Sequence, residues 1–502
     1  MKNNTPVFVF KSLNVMRGGL TKAVLTRANT LIKSYENVIF LTLSFQPDFN
    51  KIIEQLYDTG KLDEKVKVLN FHDDLAKMIN PEQIIQQGKE TNETKVEGFY
   101  EFIDKGNEFP SYRYYKDGKY VKYKRFNQDG SLLFVDYMND SRQRTQRDEY
   151  DEEGCLVCSQ FMDPTTNKAR LKSYYGKNGE CYLSTWVDDD KKEGRSLLFG
   201  PNYKEYKTLY HLYTKWVDEK LKSLENPVVF SDSRFSDGLV MDLKTKNIKK
   251  IAVLHNNHFA RPYNNKADIK KTWNPLFNGI EKFDRVVFLT NDQRQDIASV
   301  VGDLQSFRVI PHAVPTINEE SKASKHKPHL AVYLARYETQ KRVDEAIKAF
   351  KYVVKKLPDA RLHIYGFGPL KSTLNNKIIE LKLENNVKLM DFTDNPTKTY
   401  QEAACSLLTS DYEGFGMVIT ESLAAGTPVV AYDCKYGPKD IIRDGKDGFL
   451  VPWGNRRKLA NRILQIFKDQ ELRKELSRNA VEVKERFSRQ KYEEKWIEII
   501  RD

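Results

Sequence analysis

Residues 410–433 read SDYEGFGMVITESLAAGTPVVAYD and give the clearest indication of the fold class. It overlaps a buried strand pattern, CSLLTS (405–410), and ends in another, PVVAYD (428–433). The loop 413–416 between the two strands contains two glycines and leads into an apolar segment that predicts a helix over about 417–425. Strands that alternate with helices are typical of a parallel sheet with crossover helices.

The same alternation extends over the rest of the C-terminal half. Further strand patterns are HLAVYLAR (329–336), ARLHIYGFG (360–368), NVKLMDF (386–392) and GFLV (448–451). We therefore predict a doubly wound, Rossmann-like domain over 316–480, which begins with a polar linker near 318–328. Residues 481–502 continue a helical pattern and are predicted to form a C-terminal helix that crosses back to the N-terminal domain.

The N-terminal half contains a second set of such strands. They are VFVF (7–10), VIFLTL (38–43), PVVFSD (227–232), KIAVLHNNH (250–258), RVVFLT (285–290) and FRVIPHAV (307–314). We assign them to one Rossmann-like domain formed by residues 1–75 and 206–315. Two doubly wound domains predict an α/β protein with a cleft between them, where the carboxyl ends of the strands hold ligands.

Residues 76–205 follow a different pattern and predict an antiparallel, β-rich insert in the N-terminal domain. Tyrosines and other β-formers replace the helical periodicity there. Turn dipeptides recur at 117–118, 129–130, 153–154 and 178–179, and Asp-Gly and Asn-Gly are strong hairpin signals. The aromatic faces of such a sheet must pack against something, so we expect self-association through the insert.

Composition restricts the classes of function. With 502 residues, 40% hydrophobic and 30% charged, the chain is long enough for two or three domains and too apolar for general disorder. No apolar run reaches the length of a membrane-spanning helix. The five cysteines are sparse and odd in number, which fits a reducing compartment, and we expect a cytoplasmic protein.

The net charge of +12 favours a polyanionic partner over an ordinary basic surface. Nucleic acid is not indicated, because zinc-finger spacing, basic-region heptads and RNP-type aromatic motifs are all absent from the sequence. An anionic phosphate polymer, or peripheral binding to the cytoplasmic membrane face, remains. Candidates for a polymer track are Lys22, Lys119, Lys122, Lys124 and Arg125.

Two glutamates within residues 410–433 are candidate ligand-binding residues. Glu413 precedes the predicted helix and Glu421 lies two turns inside it, so they can grip different parts of one extended ligand. A carboxylate accepts two hydrogen bonds, as vicinal hydroxyls require. Gly414 and Gly416 allow close approach of the backbone, and amides at a helix start attract anions and hydroxyl oxygens.

Cations and further glycines lie at the ends of other predicted strands. Arg336 and Lys341 follow one strand and suit a diphosphate leaving group, whose charge fixed cations stabilise. Gly366 lies in a strand-end turn that lacks the last glycine of a dinucleotide fingerprint but could approach a nucleotide closely. Gly18 and Gly19 form a second amide-rich loop before a helix.

Histidines complete the set of candidates, and a metal site is not predicted. His255 and His258 follow the strand KIAVL and could contact a sugar, but they have no evident acidic partner for a metal. Cys155 and Cys158 lack the second pair of ligands that zinc requires. The run of three aspartates at 188–190 is interpreted as a solvated turn.

These motifs resemble those of the GT-B retaining glycosyltransferases of family 4. The N-terminal glycine loop, Arg336 with Lys341, and the E-x7-E pair of Glu413 and Glu421 carry the resemblance. The β insert and the elements VLHNNH, LARYETQKR and YEGFGMVITESLAAGTPVVAYDCKYGPKDII are similar to wall teichoic acid α-glycosyltransferases, above all the poly(glycerol-phosphate) α-glucosyltransferases. Protein-serine O-GlcNAc transferases of accessory secretion systems also carry a β insert and stay as an alternative.

The resemblance implies retaining transfer of a hexose, α-glucose, from a UDP-sugar to hydroxyls of teichoic acid. Arg336 and Lys341 would hold the diphosphate as it leaves, and Glu421 would bind the ribose hydroxyls. Glu413 would position the donor sugar together with the backbone of four neighbouring residues, Gly414, Phe415, Gly416 and Met417.

The remaining implications concern the rest of the donor site and the assembly. His255 would lie beside the donor sugar, the backbone near Phe392 would pair with uracil, and Gly18 and Gly19 would leave room for diphosphate and acceptor. No metal or other cofactor is expected, and relatives with this insert form homotrimers. A non-catalytic transferase-like subunit would have lost its charged residues, which are present here. The sequence does not decide whether the donor sugar is glucose or N-acetylglucosamine, or whether the acceptor repeat is glycerol phosphate or ribitol phosphate.

Overall fold

The computed structural model describes residues 4–15, 18–78, 92–190, 192–201, 203–315 and 326–502. Most of the predicted linker, 318–325, lies outside these residues. The chain divides into two compact units. The first comprises Met1–Ser231 with Phe235–Lys249, and the second comprises Asp232–Arg234 with Lys250–Asp502. The domain boundaries derived from the sequence stay a prediction.

The first unit contains strands of the predicted parallel sheet and strands of the predicted antiparallel insert. Its strands are β1 (Thr5–Phe10), β2 (Ile39–Thr42), β3 (Lys67–Asn70), β4 (Tyr100–Ile103), β5 (Ser111–Lys116), β6 (Lys119–Phe126), β7 (Leu132–Met138), β8 (Arg144–Tyr150), β9 (Leu156–Asp163), β10 (Lys168–Tyr175), β11 (Cys181–Val187), β12 (Glu193–Leu198), β13 (Lys204–Tyr206) and β14 (Pro227–Ser231). Its helices are α1 (Gly19–Leu31), α2 (Phe49–Asp58), α3 (Phe71–Ala76), α4 (Leu209–Lys222) and, at the unit boundary, α5 (Arg234–Asp242).

The parallel strands of the first unit follow the order β14-β1-β2-β3. Every residue of β1 is buried, and the ring of Phe8 stacks on those of Phe40 and Phe230 at 4.8 Å each. Three adjacent strands therefore share one aromatic core. Strand β3 was not predicted from the sequence, because it is a short edge strand with only one buried residue.

The insert is a ten-stranded antiparallel sheet whose strands lie in sequence order from β4 to β13. This arrangement confirms the predicted meander. Glycines with positive φ lie in the turns predicted at 117–118, 129–130, 153–154 and 178–179, as hairpin turns require. Other turns of the sheet were missed, because they place Arg142 and Asn167 in the left-handed region in place of glycine.

Aromatic packing joins α3 to the insert within the first unit. His72 on α3 is buried, and its Nδ1 lies 3.0 Å from the hydroxyl of Tyr182 on β11. Its ring also packs against Tyr174 on β10, with centroids 4.5 Å apart. Burial lowers the pKa of His72 to about 3, with Lys172 as a smaller cause, so the imidazole stays neutral at physiological pH.

One basic residue of the predicted polymer track lies in the interior of the insert. Lys124 is buried, and its Nζ lies 5.7 Å from the ring centroid of Tyr114. A side chain with no exposed surface cannot contact a polymer in this structure, so Lys124 was a wrong candidate. Lys119 lies at the surface in an ion pair of 2.9 Å with Asp140.

The second unit consists of parallel strands and the helices that cover them. Its strands are β15 (Lys249–Leu254), β16 (Arg285–Phe288), β17 (Phe307–Val309), β18 (Lys327–Leu334), β19 (Arg361–Tyr365), β20 (Val387–Met390), β21 (Ala403–Leu408), β22 (Val429–Tyr432) and β23 (Gly448–Val451). Its helices are α6 (Asn274–Phe277), α7 (Asn291–Val301), α8 (Val343–Lys356), α9 (Lys371–Glu380), α10 (Pro396–Gln401), α11 (Met417–Ala424), α12 (Pro438–Ile441), α13 (Arg456–Lys468), α14 (Gln470–Ala480), α15 (Val483–Arg486) and α16 (Arg489–Arg501).

The strands of the second unit follow the orders β17-β16-β15 and β20-β19-β18-β21-β22-β23, all parallel. Each strand pattern named in the sequence of this half is present. In the six-stranded sheet, β18 and β21 are the central pair, so the loops after these two strands lie side by side. This juxtaposition positions the candidate site.

Two further observations bear on the sequence predictions. No helix in the described part of the chain combines the length and the apolar character needed to cross a membrane. None of the five cysteines, all of which the structure describes, forms a disulfide.

Candidate active site

Main-chain and side-chain hydrogen bonds join the loop after β18 to the loop after β21. The amide of Asp411 donates to the carbonyl of Gln340 at 2.8 Å, and Gln340 Nε2 donates to the carbonyl of Tyr412 at 2.9 Å. Thr409 Oγ1 donates to the carbonyl of Arg342 at 2.8 Å. These bonds fix the two loops relative to each other, and none of these side chains was singled out by the sequence analysis.

The predicted residues Lys341 and Glu413 form an ion pair at this junction. Lys341 Nζ lies 2.7 Å from Glu413 Oε1, and their side chains are 17% and 8% exposed. Ser410 Oγ donates to the same oxygen at 2.6 Å. A charge-assisted hydrogen bond between two largely buried side chains holds both of them in one geometry.

Backbone contacts hold Glu413 from a third loop. Its amide donates to the carbonyl of Lys435 at 3.0 Å, and the amide of Tyr436 donates to the Glu413 carbonyl at 2.9 Å. Asp296 on α7 accepts a bond of 2.7 Å from the Tyr436 hydroxyl and also pairs with Lys435 Nζ. We call Lys435, Tyr436 and Asp296 the backbone bracket. The sequence offered the element CKYGPKDII as a signal for Lys435 and Tyr436 and none for Asp296.

Gly414 brings the glutamate loop against the loop after β15. An added Cβ at position 414 would lie 1.8 Å from the carbonyl oxygen of His255, which is far inside contact distance. Only glycine therefore allows this approach. The structure thus places the predicted residues Glu413, Gly414 and His255 next to each other in the second unit.

His255 is held on both sides by residues that the sequence analysis did not identify. Its Nε2 lies 2.7 Å from Oδ1 of the buried Asp232, which can only accept this hydrogen bond. Its ring stacks on His312 with centroids 5.5 Å apart and an interplanar angle of 15°. Both partners follow predicted strands, in PVVFSD and FRVIPHAV, and this position was their only sequence signal.

The second histidine, His258, is part of the interior. It is fully buried, and burial, with smaller contributions from Lys435 and Lys270, lowers its pKa to about 3. Its ring lies parallel to that of Tyr436, with centroids 6.0 Å apart. His258 therefore stays neutral and packs behind the backbone bracket.

Helix α11 begins where the predicted glycine loop ends. Gly416 has φ +87° and immediately precedes Met417, the first residue of the helix. The amide of Met417 therefore lies at the N-terminal end of α11. Glu421 lies little more than one turn into the helix, at about 3.6 residues per turn, and not two turns as predicted. The Phe415 ring is buried in the core, so only its backbone can face a ligand.

Arg336 does not join the Lys341–Glu413 pair. Its side chain is 49% exposed, and its Nη1 lies 2.6 Å from Glu338 Oε1. An exposed, locally paired arginine can turn towards a ligand at little cost, because surface ion pairs contribute about 0–1 kcal/mol.

The ends of β19 and β20 carry the remaining predicted residues of this unit. Gly366 has φ +148°, and an added Cβ would lie 2.0 Å from the carbonyl oxygen of Ala335. The Phe392 ring is 60% exposed and lies 6.3 Å from the ring of Phe367, which is also exposed. The two rings meet edge to face at an angle of 64°, and the exposed face of either one can stack on a planar base.

The predicted glycines Gly18 and Gly19 belong to the first unit, where they begin α1. An added Cβ at position 18 would meet no atom within 4 Å, so local packing does not require a glycine there. Their predicted role stays a prediction.

Among the described residues, one group of potential metal ligands comes together: Asp151, Glu153 and Cys155 at the turn after β8. Asp151 Oδ1 accepts bonds from the amides of Glu153 and Cys155 at 3.0 and 2.8 Å. The group is therefore explained as an acidic turn. Asp189 of the predicted solvated turn pairs with Arg170 at 2.6 Å.

Comparisons with known proteins place both halves of the chain among sugar transferases. Residues 316–483 match the Glycosyl transferases group 1 family, and residues 7–197 match the Glycosyl transferase 1 domain A family. The poly(glycerol-phosphate) alpha-glucosyltransferase of Bacillus subtilis is 30% identical over 514 residues, covering 97% of this chain and 74% of that protein. The poly(ribitol-phosphate) alpha-N-acetylglucosaminyltransferase of Staphylococcus aureus is 26% identical over 490 residues, covering 97% of each.

A solved structure shows the same fold. The crystal structure of a mutant of S. aureus TarM with Fondaparinux, alpha-GlcNAc-glycerol and UDP has a TM-score of 0.85 and 24% identity, covering 99% of this chain and all of that one. The fold and the family matches thus define a GT-B glycosyltransferase. Within that class, the chain belongs to glycosyltransferase family 4, in the group of the wall teichoic acid α-glycosyltransferases.

Proposed function

We propose that this protein transfers α-glucose from UDP-glucose to hydroxyls of poly(glycerol-phosphate) wall teichoic acid, with retention of configuration at the anomeric carbon. The observation that carries the proposal is the pair of Lys341 and Glu413, 2.7 Å apart beside the start of α11. The relative of that activity, 30% identical, supports the choice of sugar and polymer.

Stabilisation of the leaving group falls to two cations in this proposal. Lys341 is held by its pair with Glu413, and the exposed Arg336 would turn from Glu338 to the diphosphate. Fixed cations act most strongly on charge that develops as the bond breaks. The amides at the start of α11 add partial positive charge near the same loop.

The rest of the donor is proposed to be held by further residues of the second unit. Glu413, the backbone from Gly414 to Met417 and His255, oriented by Asp232, would contact the sugar hydroxyls. Glu421 would bind the ribose hydroxyls, and Gly366 and Phe392 would border the uracil.

The proposed chemistry takes place on one face of the sugar and needs no protein nucleophile. The bond between the anomeric carbon and the diphosphate oxygen breaks, and the acceptor oxygen forms its bond from the same face. The proton of the acceptor hydroxyl passes to the departing phosphate oxygen. Binding and orientation of the two substrates are then the main work of the protein.

Catalysis is proposed to proceed without a divalent metal, because Lys341 and Arg336 can neutralise the diphosphate. Transfer should therefore keep its rate when EDTA replaces added metal. Loss of transfer in EDTA, with recovery in magnesium or manganese, would contradict this part of the proposal and direct attention to the acidic turn at Asp151.

The acceptor proposal also uses the charge of the chain. A net charge of +12 concentrates an anionic polymer at the protein. The reaction is proposed to take place in the reducing cytoplasm, at the inner membrane face, and the five free cysteines agree with a reducing compartment. The TarM structure holds alpha-GlcNAc-glycerol and UDP, which supports a UDP-sugar donor and a polyol acceptor for this group.

We further propose a homotrimer formed through the insert. The edge strand β4 exposes Tyr100, Phe102 and Ile103, with Tyr100 73% exposed. An apolar edge strand with open backbone groups is a ready pairing surface. Replacing Phe102 and Ile103 by lysine should convert a trimer, measured by light scattering, into a monomer. A monomeric unmodified protein would contradict this proposal.

A matrix of donors and acceptors tests the function. Purified protein is given UDP-glucose or UDP-N-acetylglucosamine with poly(glycerol-phosphate), poly(ribitol-phosphate) or a serine-rich polypeptide. The expected product is α-glucosylated poly(glycerol-phosphate). Transfer to the polypeptide alone would replace the proposal by the protein O-glycosyltransferase alternative.

A further inference from the structure

A lysine outside the proposed donor site lies in an aromatic setting beside the glutamate loop. Lys270 Nζ lies 4.5 Å from the ring centroid of Tyr412 and 5.5 Å from that of Tyr263. The two rings are 4.3 Å apart, so they form one aromatic surface next to the ammonium group. Tyr412 immediately precedes Glu413 in the chain.

The ammonium group of Lys270 has no counter-charge among the residues that the structure describes. Its hydrogen bond of 2.7 Å goes to a neutral acceptor, the carbonyl of Asn257. Burial alone lowers its pKa, without an opposing carboxylate. Lys341, by contrast, pairs with Glu413. A half-buried cation without a counter-charge is costly, and an anionic ligand lowers that cost when it binds.

A single asparagine connects Lys270 to the backbone of the glutamate loop. Asn257 accepts from Lys270 and donates from Nδ2 to the carbonyls of Tyr263 and Lys435, at 3.1 and 3.2 Å. The Lys435 carbonyl also accepts the amide of Glu413. The position of Lys270 is therefore set by the same framework that holds Glu413.

We propose that Lys270, with Tyr263 and Tyr412, binds a phosphodiester of the acceptor next to the hydroxyl that receives the sugar. This inference rests on the proposed function, which supplies a polyol-phosphate acceptor. The ammonium group keeps N–H donors for phosphate oxygens. The two rings, tilted by 43° to each other, offer apolar faces to the carbon atoms of the polyol. The donor diphosphate has its own cations in Lys341 and Arg336.

The test compares a phosphate-bearing acceptor with a neutral one in Lys270→Met. The acceptors are a short glycerol-phosphate oligomer and glycerol, and donor hydrolysis without acceptor is measured beside them. For the oligomer, kcat/KM should fall about 10- to 100-fold, as expected for a lost charged hydrogen bond. Transfer to glycerol, donor hydrolysis and the donor KM should change less than twofold.

Two variants serve as controls. Lys271→Met removes the same charge from the exposed neighbouring residue and should leave all rates within twofold of the unmodified protein. Lys270→Arg keeps the cation and should retain most of the preference for the phosphate-bearing acceptor. Thermal unfolding of each variant shows that it is folded.

Each other outcome has a defined meaning. Equal losses with the oligomer and with glycerol would make Lys270 a structural residue and overturn the inference. A raised donor KM in Lys270→Met would show that Lys270 binds the diphosphate of the donor and not a phosphodiester of the acceptor. This result would also overturn the inference. Failure of the unmodified protein to modify any polyol-phosphate would instead refute the proposed function itself.

Discussion

Glu413 is held at three points of its own structure: the carboxylate by Lys341, the amide by the Lys435 carbonyl and the carbonyl by the Tyr436 amide. A residue restrained in this way has its geometry before any ligand binds. Preorganised groups do not reorganise during the reaction, which is the main source of their catalytic effect. The position of a single glutamate thus depends on three separate loops.

Replacement of Lys341 should reduce turnover sharply. Lys341→Met removes a fixed cation from the leaving group, and we expect kcat for sugar transfer to fall by about 10²–10³. Arg336→Ala, measured in the same assay, should lose turnover to a similar extent. Lys348→Met on α8, which pairs with Asp344 at 2.6 Å, is the matched control and should keep near-normal turnover. Near-normal rates in both site variants would show that neither residue acts on the diphosphate.

His72 makes the stability of the first unit sensitive to acid. Burial lowers its pKa to about 3, so protonation favours the unfolded chain, whose histidine titrates near 6.5. The contribution of neutral His72 to the free energy of unfolding is therefore fully present above pH 6.5. It falls by about 1.4 kcal/mol per pH unit as the pH drops towards 3, so the loss at pH 5 is about 2 kcal/mol.

Urea unfolding at pH 7 and pH 5 measures this dependence. His72→Gln should lower stability at pH 7, because the buried ring is lost, but should show a smaller loss between the two pH values than the unmodified protein. His258 contributes a loss of the same sign, since its pKa is also lowered to about 3. An unchanged pH dependence in His72→Gln would contradict the assignment.

Among the elements, α7 has the least obvious connection to the site. It carries Asp296, through which it supports Lys435 and Tyr436 and, behind them, the backbone of Glu413. The helix makes no proposed contact with substrate, so its influence is on position. Asp296 is accordingly a positioning residue.

Asp296→Asn should weaken the backbone bracket and lower kcat for transfer about 10-fold, with a smaller change in donor KM. Tyr436→Phe should act in the same direction, and the double variant should lose less than the product of the two effects, because both remove one shared contact. Asp303→Asn, which removes an exposed ion pair of 2.6 Å between Asp303 and Arg294 of α7, is the control. Equal activity of the Asp296 and Asp303 variants would refute the positioning role.

The sequence predicted the elements better than the contacts between them. Buried strands such as β1 and β21, and glycine turns such as Asp117-Gly118, have local patterns that the structure confirms. The contacts of Asp232, His312 and Asp296 could not be predicted, because they depend on chain segments far away in the sequence. Lys341 and Glu413 were identified as candidates, but their direct pairing follows only from the order β18-β21 in the sheet.

At the scale of the whole molecule, the net charge of +12 predicts how the acceptor KM depends on salt. The Debye length falls from about 10 Å at 0.1 M salt to about 3 Å at 1 M, so the attraction of a long anionic polymer weakens. Its KM should rise with salt more steeply than that of a single-repeat acceptor. Donor hydrolysis should change little, because short-range contacts hold the diphosphate.

The control is the same salt series with the single-repeat acceptor and the donor alone. If the long polymer proves no more sensitive to salt than the short acceptor, the charge does not serve polymer binding. The surface lysines would then have only a general role in solubility.

The order of strands in the first unit also determines when each part can fold during synthesis. The insert adds strand after strand in sequence order, so each new hairpin can pair as soon as it leaves the ribosome. Strand β1 must wait for β14: Thr5 and Pro227 pair across roughly 220 residues, on the order of 10–40 s of translation at about 5–20 residues per second. The nascent chain therefore completes its β insert while the domain that the insert interrupts is still unfinished, and a chaperone that binds apolar strands would find its target in β1.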